Sequence, residues 1–285
     1  MHSNILTRIF IIILLATLST RCGDTGPTLP KPGTDTFTFL TYNVAGLPQG
    51  ISPSNPEKNT PLISPLLNKY DIALVQEDFF YHEELKAQAR HPFQSESNNG
   101  PGQFDFGDGL NRFSMFPFEA LRREQWSVCS GTDGNDCLAR KGFSVSETTL
   151  APGVIVDIYN LHLDAGGGPE DFSARNMQVE QLLRTLNSRS SGKAIIVAGD
   201  TNFDTDNRQQ DAELLQRLFT GASLTDACRF LSCGQEMVDR VLFRGNGVID
   251  LTPISWQIDP DFVDEEGNKL SDHFAIGVTF KWTVE

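Results

Sequence analysis

The chain has 285 residues, 39% of them hydrophobic, and a formal net charge of −14 at pH 7. This hydrophobic content excludes a disordered chain, and the length suits one large domain with a substantial core. The acidic balance excludes long-range attraction to polyanions such as nucleic acid or anionic membranes, except where bound divalent cations reverse the local sign.

The N-terminus has the composition of an export signal. Residues 9–18 are apolar apart from Thr17, a run too short for a permanent membrane anchor but suited to the core of a signal peptide. We therefore predict a signal peptide at 1–22, a flexible tether rich in Gly, Pro and Thr at 23–35, and a folded domain at 36–285. The protein is then expected to be secreted or to stay in the cell envelope.

Cys22 follows the apolar run at the distance expected in a lipoprotein signal. It is a candidate for lipidation, which would tether the protein to a membrane. Arg21 stands where lipoprotein signals have a small residue. Ordinary cleavage nearby, with Cys22 lost or free, is therefore the alternative.

The four remaining cysteines fall into two short-range pairs, Cys129 with Cys137 and Cys228 with Cys233. No Cys-x-x-Cys spacing is present, so a tetrahedral zinc site is the weaker interpretation. In an exported chain these pairs predict two disulfides.

Two strand ends in the first part of the domain present polar side chains. The alternation of residues 36–44 predicts a first strand with Asn43 at its exit. A helix is predicted at 60–70, and the apolar run at 71–77 predicts a buried strand that ends in Glu77. Glu77 is the first carboxylate in a position suited to a metal ligand; a solvated strand end is the alternative.

A histidine is placed by the next predicted pair of strands, at 142–150 and 154–163. In the second of them Asn160, His162 and Asp164 share one face, because side chains alternate along a strand. His162 is therefore a candidate catalytic residue. A core histidine bonded to a neighbour is the alternative.

Helices are predicted at 82–90, 170–187 and 211–220. The first is expected to lie on the surface with His82 and His91 solvated. The second is expected to turn Met177, Leu182, Leu183 and Leu186 toward the core. The glycines at 166–168 lack the spacing of a phosphate-binding loop and are interpreted as a flexible turn.

The strongest local signal is a short apolar strand at 194–198 that stops at Gly199. It is followed by Asp200 and Asn202, which it would present at the carboxyl edge of a sheet, where α/β proteins form their sites. Asp can orient or deprotonate a water, and Asn offers an amide donor to a phosphate oxygen. A local Asx-turn is the alternative.

Two more acids and a histidine complete the set. Asp239 lies in a predicted strand at 237–243, and Asp272 and His273 directly precede an alternating run at 274–280. A carboxylate beside an imidazole suits metal-assisted attack on a phosphorus ester, although Ser-Asp-His in a solvated turn is the alternative.

Together these motifs resemble the endonuclease/exonuclease/phosphatase superfamily, which includes deoxyribonucleases, inositol polyphosphate phosphatases and neutral sphingomyelinases. The resemblance extends from residue 36 to the C-terminus, and its ordered motifs lie at 41–44, 76–77, 160–165, 199–203 and 271–273. It implies an α/β fold: a four-layer sandwich of two packed, mainly antiparallel sheets flanked by helices.

The resemblance also implies the roles of individual residues. Glu77, Asp272 and Asn43 match positions at the metal, which is expected to be Mg²⁺ or else Mn²⁺ or Ca²⁺. Asp200 and Asn202 match the pair that positions water and phosphate. His162 matches the histidine that stabilises the transition state or the leaving oxygen, and Asp239 matches the acid that orients His273.

Within the superfamily, the segments at 108–118, 160–165 and 174–178 resemble the secreted sphingomyelinase-like branch. This resemblance implies an exported, metal-dependent phosphodiesterase that is a monomer and prefers a lipid headgroup to nucleic acid. An extracellular deoxyribonuclease-like endonuclease is one alternative. A catalytically silent binding module on the same scaffold is another.

Overall fold

The computed structural model describes residues 34–52, 54–100, 106–131 and 136–285. The predicted signal peptide and Cys22 lie outside these ranges, as does nearly all of the tether at 23–35, so these assignments remain predictions. No helix in the described ranges is long and apolar enough to cross a membrane.

The described chain alternates between strands and a smaller number of helices. The strands are β1 (Thr34–Asn43), β2 (Ile72–Gln76), β3 (Phe93–Gln94), β4 (Asn111–Ser114), β5 (Phe118–Gln125), β6 (Gly142–Ala151), β7 (Val154–His162), β8 (Ala194–Asp200), β9 (Thr225–Asp226), β10 (Asp239–Arg244), β11 (Ile249–Ile258) and β12 (Ile276–Val284). The α-helices are α1 (Pro56–Leu66), α2 (His82–Lys86), α3 (Pro169–Arg189), α4 (Gln209–Ala222) and α5 (Ala227–Phe230), and a 3₁₀ turn (Leu67–Lys69) follows α1.

The strands form two six-stranded sheets. The first has the order β11-β12-β1-β2-β4-β3, and the second has the order β5-β6-β7-β8-β10-β9. Each sheet has one parallel pair, β1 with β2 and β7 with β8, and its other neighbours run antiparallel. The mainly antiparallel pairing that the sequence predicts is confirmed.

Three apolar clusters join the layers. One lies between the two sheets, one packs α1 and α2 on the outer face of the first sheet, and one packs α3 and α4 on the outer face of the second. Strand β1 shows how the sequence specifies this arrangement. Phe37 and Phe39 face the other sheet while Leu40 and Tyr42 face the helices, because alternate residues of a strand point to opposite faces. The four-layer sandwich is therefore confirmed.

Some local predictions are wrong. Helix α1 begins at Pro56, which occupies its first turn, and Pro61 lies inside it. His82 and His91 are buried, 6% and 4% exposed, because Asp78 binds His82 and the carbonyl of Tyr70 binds His91. Met177, expected in the core, is 44% exposed.

None of the four edge strands in the described part of the chain was predicted, and two of them, β3 and β9, have only two residues each. Strand β5 is one outer strand of the second sheet and has a charged, exposed sequence without clean alternation. Strand β11 is one outer strand of the first sheet and contains Pro253 at an irregularity in its pairing with β12. Proline and charged residues are typical of edge strands, and they weaken the sequence signal for a strand.

Candidate active site

The predicted polar residues meet where the parallel strands of both sheets end. Asn43 pairs with Gln76 at the ends of β1 and β2, immediately before Glu77. In the second sheet Asp200 pairs with His162 on one side and with Asp239 on the other. The carboxyl ends of two parallel pairs, one from each sheet, therefore lie at the same edge of the sandwich.

Side-chain amides hold the two sheets in register below this edge. Gln76 Nε2 donates to Asn160 Oδ1 over 2.7 Å, which links β2 to β7. Asn160 Nδ2 in turn donates to the carbonyls of Val75 and Asn111 at 2.9 and 3.1 Å. These bonds favour this relative position of the sheets, because a shift would break them and leave further buried amide groups without partners.

Asn43 lies at the centre of the site. Its Nδ2 is 3.1 Å from Glu77 Oε1, 3.2 Å from Asp200 Oδ2 and 3.4 Å from His273 Nε2. Its Oδ1 accepts a hydrogen bond from the amide of Ala45, which fixes the orientation of the carboxamide. In this arrangement Asn43 presents its amide donor to the acids.

His273 and Asp239 form an ion pair across the two sheets. His273 Nδ1 is 2.8 Å from Asp239 Oδ2, and His273 Nε2 is 3.6 Å from Asp200 Oδ2. Burial alone would lower the pKa of His273, but Asp239 and then Asp200 outweigh it and raise the pKa to about 10. His273 is therefore an imidazolium at neutral pH.

His162 has the opposite electrostatic character. It is 1% exposed, and burial, together with the charges of Lys141 and His273, holds its pKa well below the usual value. Its Nε2 lies 3.3 Å from Asp200 Oδ2, and its carbonyl accepts a hydrogen bond from Trp126 Nε1 at 2.7 Å. His162 is therefore a neutral imidazole that faces the same carboxylate as His273.

The acids of the site are costly to ionise. Burial raises the pKa of Asp200 to about 6, and the charge of His273 only partly offsets this rise. Partial burial also raises the pKa of Glu77, whose side chain is 21% exposed, against the opposing effects of Lys141 and Asn43. Buried acids of raised pKa are typical of functional sites, where they can accept a proton near neutral pH.

Unusual backbone conformations position two of these residues. Glu77 and Asn202 have φ of 56° and 53°, a region that few non-glycine residues adopt and that is found in strained functional loops. Gly199 precedes Asp200 with φ of 141°, and a Cβ there would lie 2.0 Å from the carbonyl oxygen of Leu161. Only glycine allows β8 to approach β7 this closely.

Asn202 and Asp272 occupy different positions relative to this centre. Asn202 is hydrogen-bonded to the centre of the site. Its backbone amide donates to Asp200 Oδ1 at 2.9 Å, and its side-chain Nδ2 donates to the carbonyl of Leu163 at 2.9 Å. Asp272 is exposed, and its carboxylate accepts a hydrogen bond from Ser271 at 3.2 Å. Its assignment as a metal ligand stays a prediction.

The donor set fits a divalent cation that prefers oxygen ligands. Carboxylate oxygens of Asp200 and Asp239 and a nitrogen of His273 lie within 4.8 Å of one another. Because His273 is protonated, the donors to a cation are the carboxylates of Asp200 and Asp239, with that of Glu77 beside Asn43. In the described part of the chain, the ion pairs of these three acids involve only His162 and His273. Asp239 Oδ1 is buried without a hydrogen-bond partner there. Carboxylates gathered without Lys or Arg partners are typical of Mg²⁺, Mn²⁺ or Ca²⁺ sites.

Lys141 is a site residue that the sequence analysis missed. It is 9% exposed and pairs with Asp136, whose other oxygen accepts a hydrogen bond from the amide of Ala165 at 2.8 Å. Its charge lowers the pKa of both Glu77 and Asp200. The one available signal was a single lysine immediately before the predicted strand at 142–150, which does not distinguish a buried cation from a solvated one.

Both predicted disulfides are present, between Cys129 and Cys137 and between Cys228 and Cys233. The first closes the loop that contains Ser130, whose amide donates to Asp164 Oδ2 at 2.6 Å. The second joins Cys228 in α5 to Cys233, which lies just beyond the end of that helix. The first disulfide therefore supports the segment that follows His162.

The chain is similar in sequence to sphingomyelinases of Mycobacterium tuberculosis and Mycobacterium bovis. It is 32% identical to each over 271 aligned positions, which cover 87% of this chain and 53% of the mycobacterial proteins. The chain therefore spans about half the length of the curated relatives it matches. No protein-family model matches it.

Solved structures share the fold at lower identity. Sphingomyelinase C from Streptomyces griseocarneus is 19% identical, with a TM-score of 0.62 over 86% of this chain and 99% of that one. Beta toxin of Staphylococcus aureus with bound magnesium ions is 14% identical, with a TM-score of 0.60 over 88% and 100%. TDP2 of D. rerio, in complex with a single-strand DNA product, is 18% identical, with a TM-score of 0.67 over 86% and 99%.

The order of the site motifs along the chain, the two-sheet sandwich and these similarities agree with one another. The sequence comparison aligns 87% of the chain. The chain has the fold of these solved structures and is similar in sequence to sphingomyelinases, as the resemblance of its motifs to the endonuclease/exonuclease/phosphatase superfamily implies.

Proposed function

We propose that this protein is an exported, divalent-metal-dependent phosphodiesterase of sphingomyelinase type. The observation that supports it is the convergence of Asn43, Glu77, Asp200 and the Asp239–His273 pair at one edge of the sandwich. The similarity to mycobacterial sphingomyelinases favours a lipid phosphodiester as the substrate.

The residues have complementary tasks in hydrolysis. A divalent cation, when bound by the acids, would neutralise phosphate charge. Asp200, with its raised pKa, accepts a proton from the attacking water while its contact with Asn202 fixes its orientation. The water oxygen bonds to phosphorus, and the bond to the leaving oxygen on the opposite side breaks.

The imidazolium of His273 is suited to protonate that leaving oxygen, because Asp239 holds it charged and aims its Nε2 into the site. Neutral His162 and the amide of Asn43 donate hydrogen bonds to the phosphoryl oxygens as charge develops on them. The products are a phosphomonoester and an alcohol. For sphingomyelin these are phosphocholine and ceramide.

A side-by-side assay tests the substrate. Turnover on sphingomyelin vesicles and on duplex DNA is measured in matched magnesium and salt, with and without a chelator. We expect release of phosphocholine that stops on chelation, and weak or no cleavage of DNA. Persistence of the full rate in chelator would overturn the metal-dependent mechanism.

The salt response distinguishes the two substrate classes. Binding of a protein to DNA weakens steeply as salt rises, through loss of the counterion-release effect, whereas a zwitterionic headgroup is far less sensitive. A surface with a net charge of −14 would also hold a long polyanion poorly. We therefore expect a nearly salt-independent rate on vesicles.

A nucleic-acid phosphoester is the second candidate substrate. The likeness to TDP2 in complex with a DNA product supports it at the level of the fold. DNA nicking without release of phosphocholine would assign the protein to this alternative.

The proposed location is the cell surface or the extracellular medium. The predicted signal peptide and the two disulfides support export. Mass spectrometry of the mature N-terminus would show whether Cys22 bears a lipid, and size-exclusion chromatography would test the predicted monomer. A mature chain that begins beyond Cys22 would exclude a lipid anchor at this residue.

A further inference from the structure

The loop after β7 is anchored by a buried network of two arginines and an aspartate. Arg175 Nη1 donates to the carbonyls of Asp164, Ala165 and Gly166 at 3.1, 3.1 and 2.9 Å. Its Nη2 is 3.0 Å from Asp211 Oδ1. The glycine-rich segment is therefore held by its own backbone carbonyls, contrary to the flexible turn that its composition predicts.

Arg208 connects this loop to the loop that follows β8. Its Nη1 donates to the carbonyl of Gly166, and its Nη2 donates to the carbonyl of Asn202 at 2.9 Å. These two carbonyls follow His162 and Asp200, respectively, in the chain. One planar guanidinium therefore joins the loops that orient two groups of the site.

Asp211 fixes the position of Arg208. The aspartate is fully buried, and its Oδ2 lies 2.7 Å from Arg208 Nε, an ion pair without the alignment of a hydrogen bond. The same oxygen accepts a hydrogen bond from the amide of Asp204 at 3.1 Å. Since Asp211 also binds Arg175, its single carboxylate holds both arginines in place.

We propose that Arg208 is a positioning residue: with Asp211 it fixes the loop after β7 against the loop after β8, and so sets the placement of His162 relative to Asp200 and Asn202. The alternative is that Arg208 only caps the start of α4 and adds stability. The two differ in kinetics, because a small misplacement of reacting groups costs turnover without an equal loss of binding. The proposal rests on the proposed phosphodiesterase function.

The test compares three variants and one control variant with the wild-type protein. Arg208→Gln removes the positive charge and the planar guanidinium that binds both carbonyls. Arg208→Lys keeps the positive charge but replaces the guanidinium with a single ammonium group. Gly167→Ala leaves Arg208 in place but adds a Cβ only 3.1 Å from Nη1. Arg184→Gln is the matched control, since Arg184 is a largely exposed arginine of α3 that pairs only with Glu180 among the described residues.

Turnover and KM are measured on sphingomyelin vesicles in magnesium, beside thermal melting. We expect Arg208→Gln to lower kcat by about 10- to 100-fold with KM within about threefold of wild type. Arg208→Lys should recover part of the loss, and Gly167→Ala should lower kcat by a smaller factor. A kcat for Arg208→Gln within twofold of the Arg184→Gln control overturns the proposal.

Amide hydrogen exchange supplies a readout that needs no activity. In Arg208→Gln, exchange should accelerate in both 163–168 and 200–204, and the control should change neither segment. Acceleration in α4 alone would assign a capping role and overturn the proposal. If the wild-type protein cleaves no phosphodiester, the proposed function fails, while exchange still decides whether Arg208 joins the two loops. If Arg208→Gln does not fold, Gly167→Ala and Arg208→Lys provide the same comparison.

Discussion

Each sheet presents one histidine to the site, and the two environments have opposite effects. His273 enters the first sheet beside Asp239, and this carboxylate and that of Asp200 raise its pKa to about 10 despite burial. His162 leaves the second sheet at the end of β7, where burial and the charges of Lys141 and His273 lower its pKa. Both imidazoles nevertheless lie within 3.6 Å of the same oxygen of Asp200.

The difference lies in what the other nitrogen of each ring contacts. His273 Nδ1 binds Asp239, whereas His162 Nδ1 is buried without a hydrogen-bond partner in the described chain. An oriented carboxylate on the far side of a ring stabilises its charged form, and burial without a polar partner there favours the neutral form. Two copies of one side chain can therefore serve as a proton donor and as a neutral hydrogen-bond donor in the same site.

The largest effect is expected from removing either ring. His273→Ala and His162→Ala should each lower turnover by about two orders of magnitude or more, the usual cost of losing an acid–base or charge-stabilising group. Initial rates on a phosphodiester in magnesium measure this loss. His91→Gln is a control, because His91 is buried outside the site and binds the carbonyl of Tyr70. Equal activity of all three variants would contradict the assigned roles.

A smaller effect should follow from removing the carboxylate that distinguishes the two histidines. Asp239→Asn removes the leading cause of the raised pKa of His273. In the wild-type protein, activity that needs the imidazolium persists until the pH rises through about 10. In the variant this alkaline loss should begin at lower pH, and the rate near pH 9 should fall by about tenfold.

A pH–rate profile of kcat/KM measures this shift. Asp250→Asn, an exposed change on β11, should leave the profile unchanged. An alkaline limb that stays in place in Asp239→Asn would show that the ion pair does not set the charge of His273.

The smallest effect is a gain in stability. Asp200 has a folded-state pKa raised to about 6, above the usual 3.8, so its ionised form is penalised in the fold. This penalty is present above about pH 6 and disappears as the pH falls toward 3.8. Asp200→Asn retains an acceptor oxygen and should stabilise the metal-free protein by about 1–3 kcal/mol at neutral pH.

Thermal denaturation in chelator at neutral and acidic pH measures this gain. The advantage of the variant should shrink on acidification. A lower melting temperature than wild type at neutral pH would mean that Asp200 has favourable partners that outweigh its burial.

The sequence sufficed for the parts of the site that lie at strand ends. Asn43, Glu77, His162 and Asp200 each follow a strongly patterned strand, and the side-chain period of two fixes which face they share. Edge strand β5 escaped prediction because its residues face solvent and lack that pattern. Strand β11 alternates at its start, with Ile249 and Leu251 buried, but the irregularity at Pro253 interrupts the pattern.

Residues whose role depends on contacts distant in the chain could not be predicted. Lys141 is defined by its partner Asp136 and by acids on other strands. The role of Arg208 depends on the carbonyls of Gly166 and Asn202, which lie 42 and 6 residues away in the chain. Polar residues such as these are usually solvated, so a single sequence favours the wrong interpretation until the fold brings their partners together.

The hydrogen bond between the side-chain amides of Gln76 and Asn160 joins the two sheets that carry the candidate site. Glu77 and His273 approach the site from the first sheet, whereas His162, Asp200 and Asp239 belong to the second. A small slide of one sheet over the other would separate the two groups while leaving every strand paired within its own sheet. Inactivation can therefore precede the loss of secondary structure, and enzymatic rate becomes a sensitive gauge of the contact between the two halves of the sandwich.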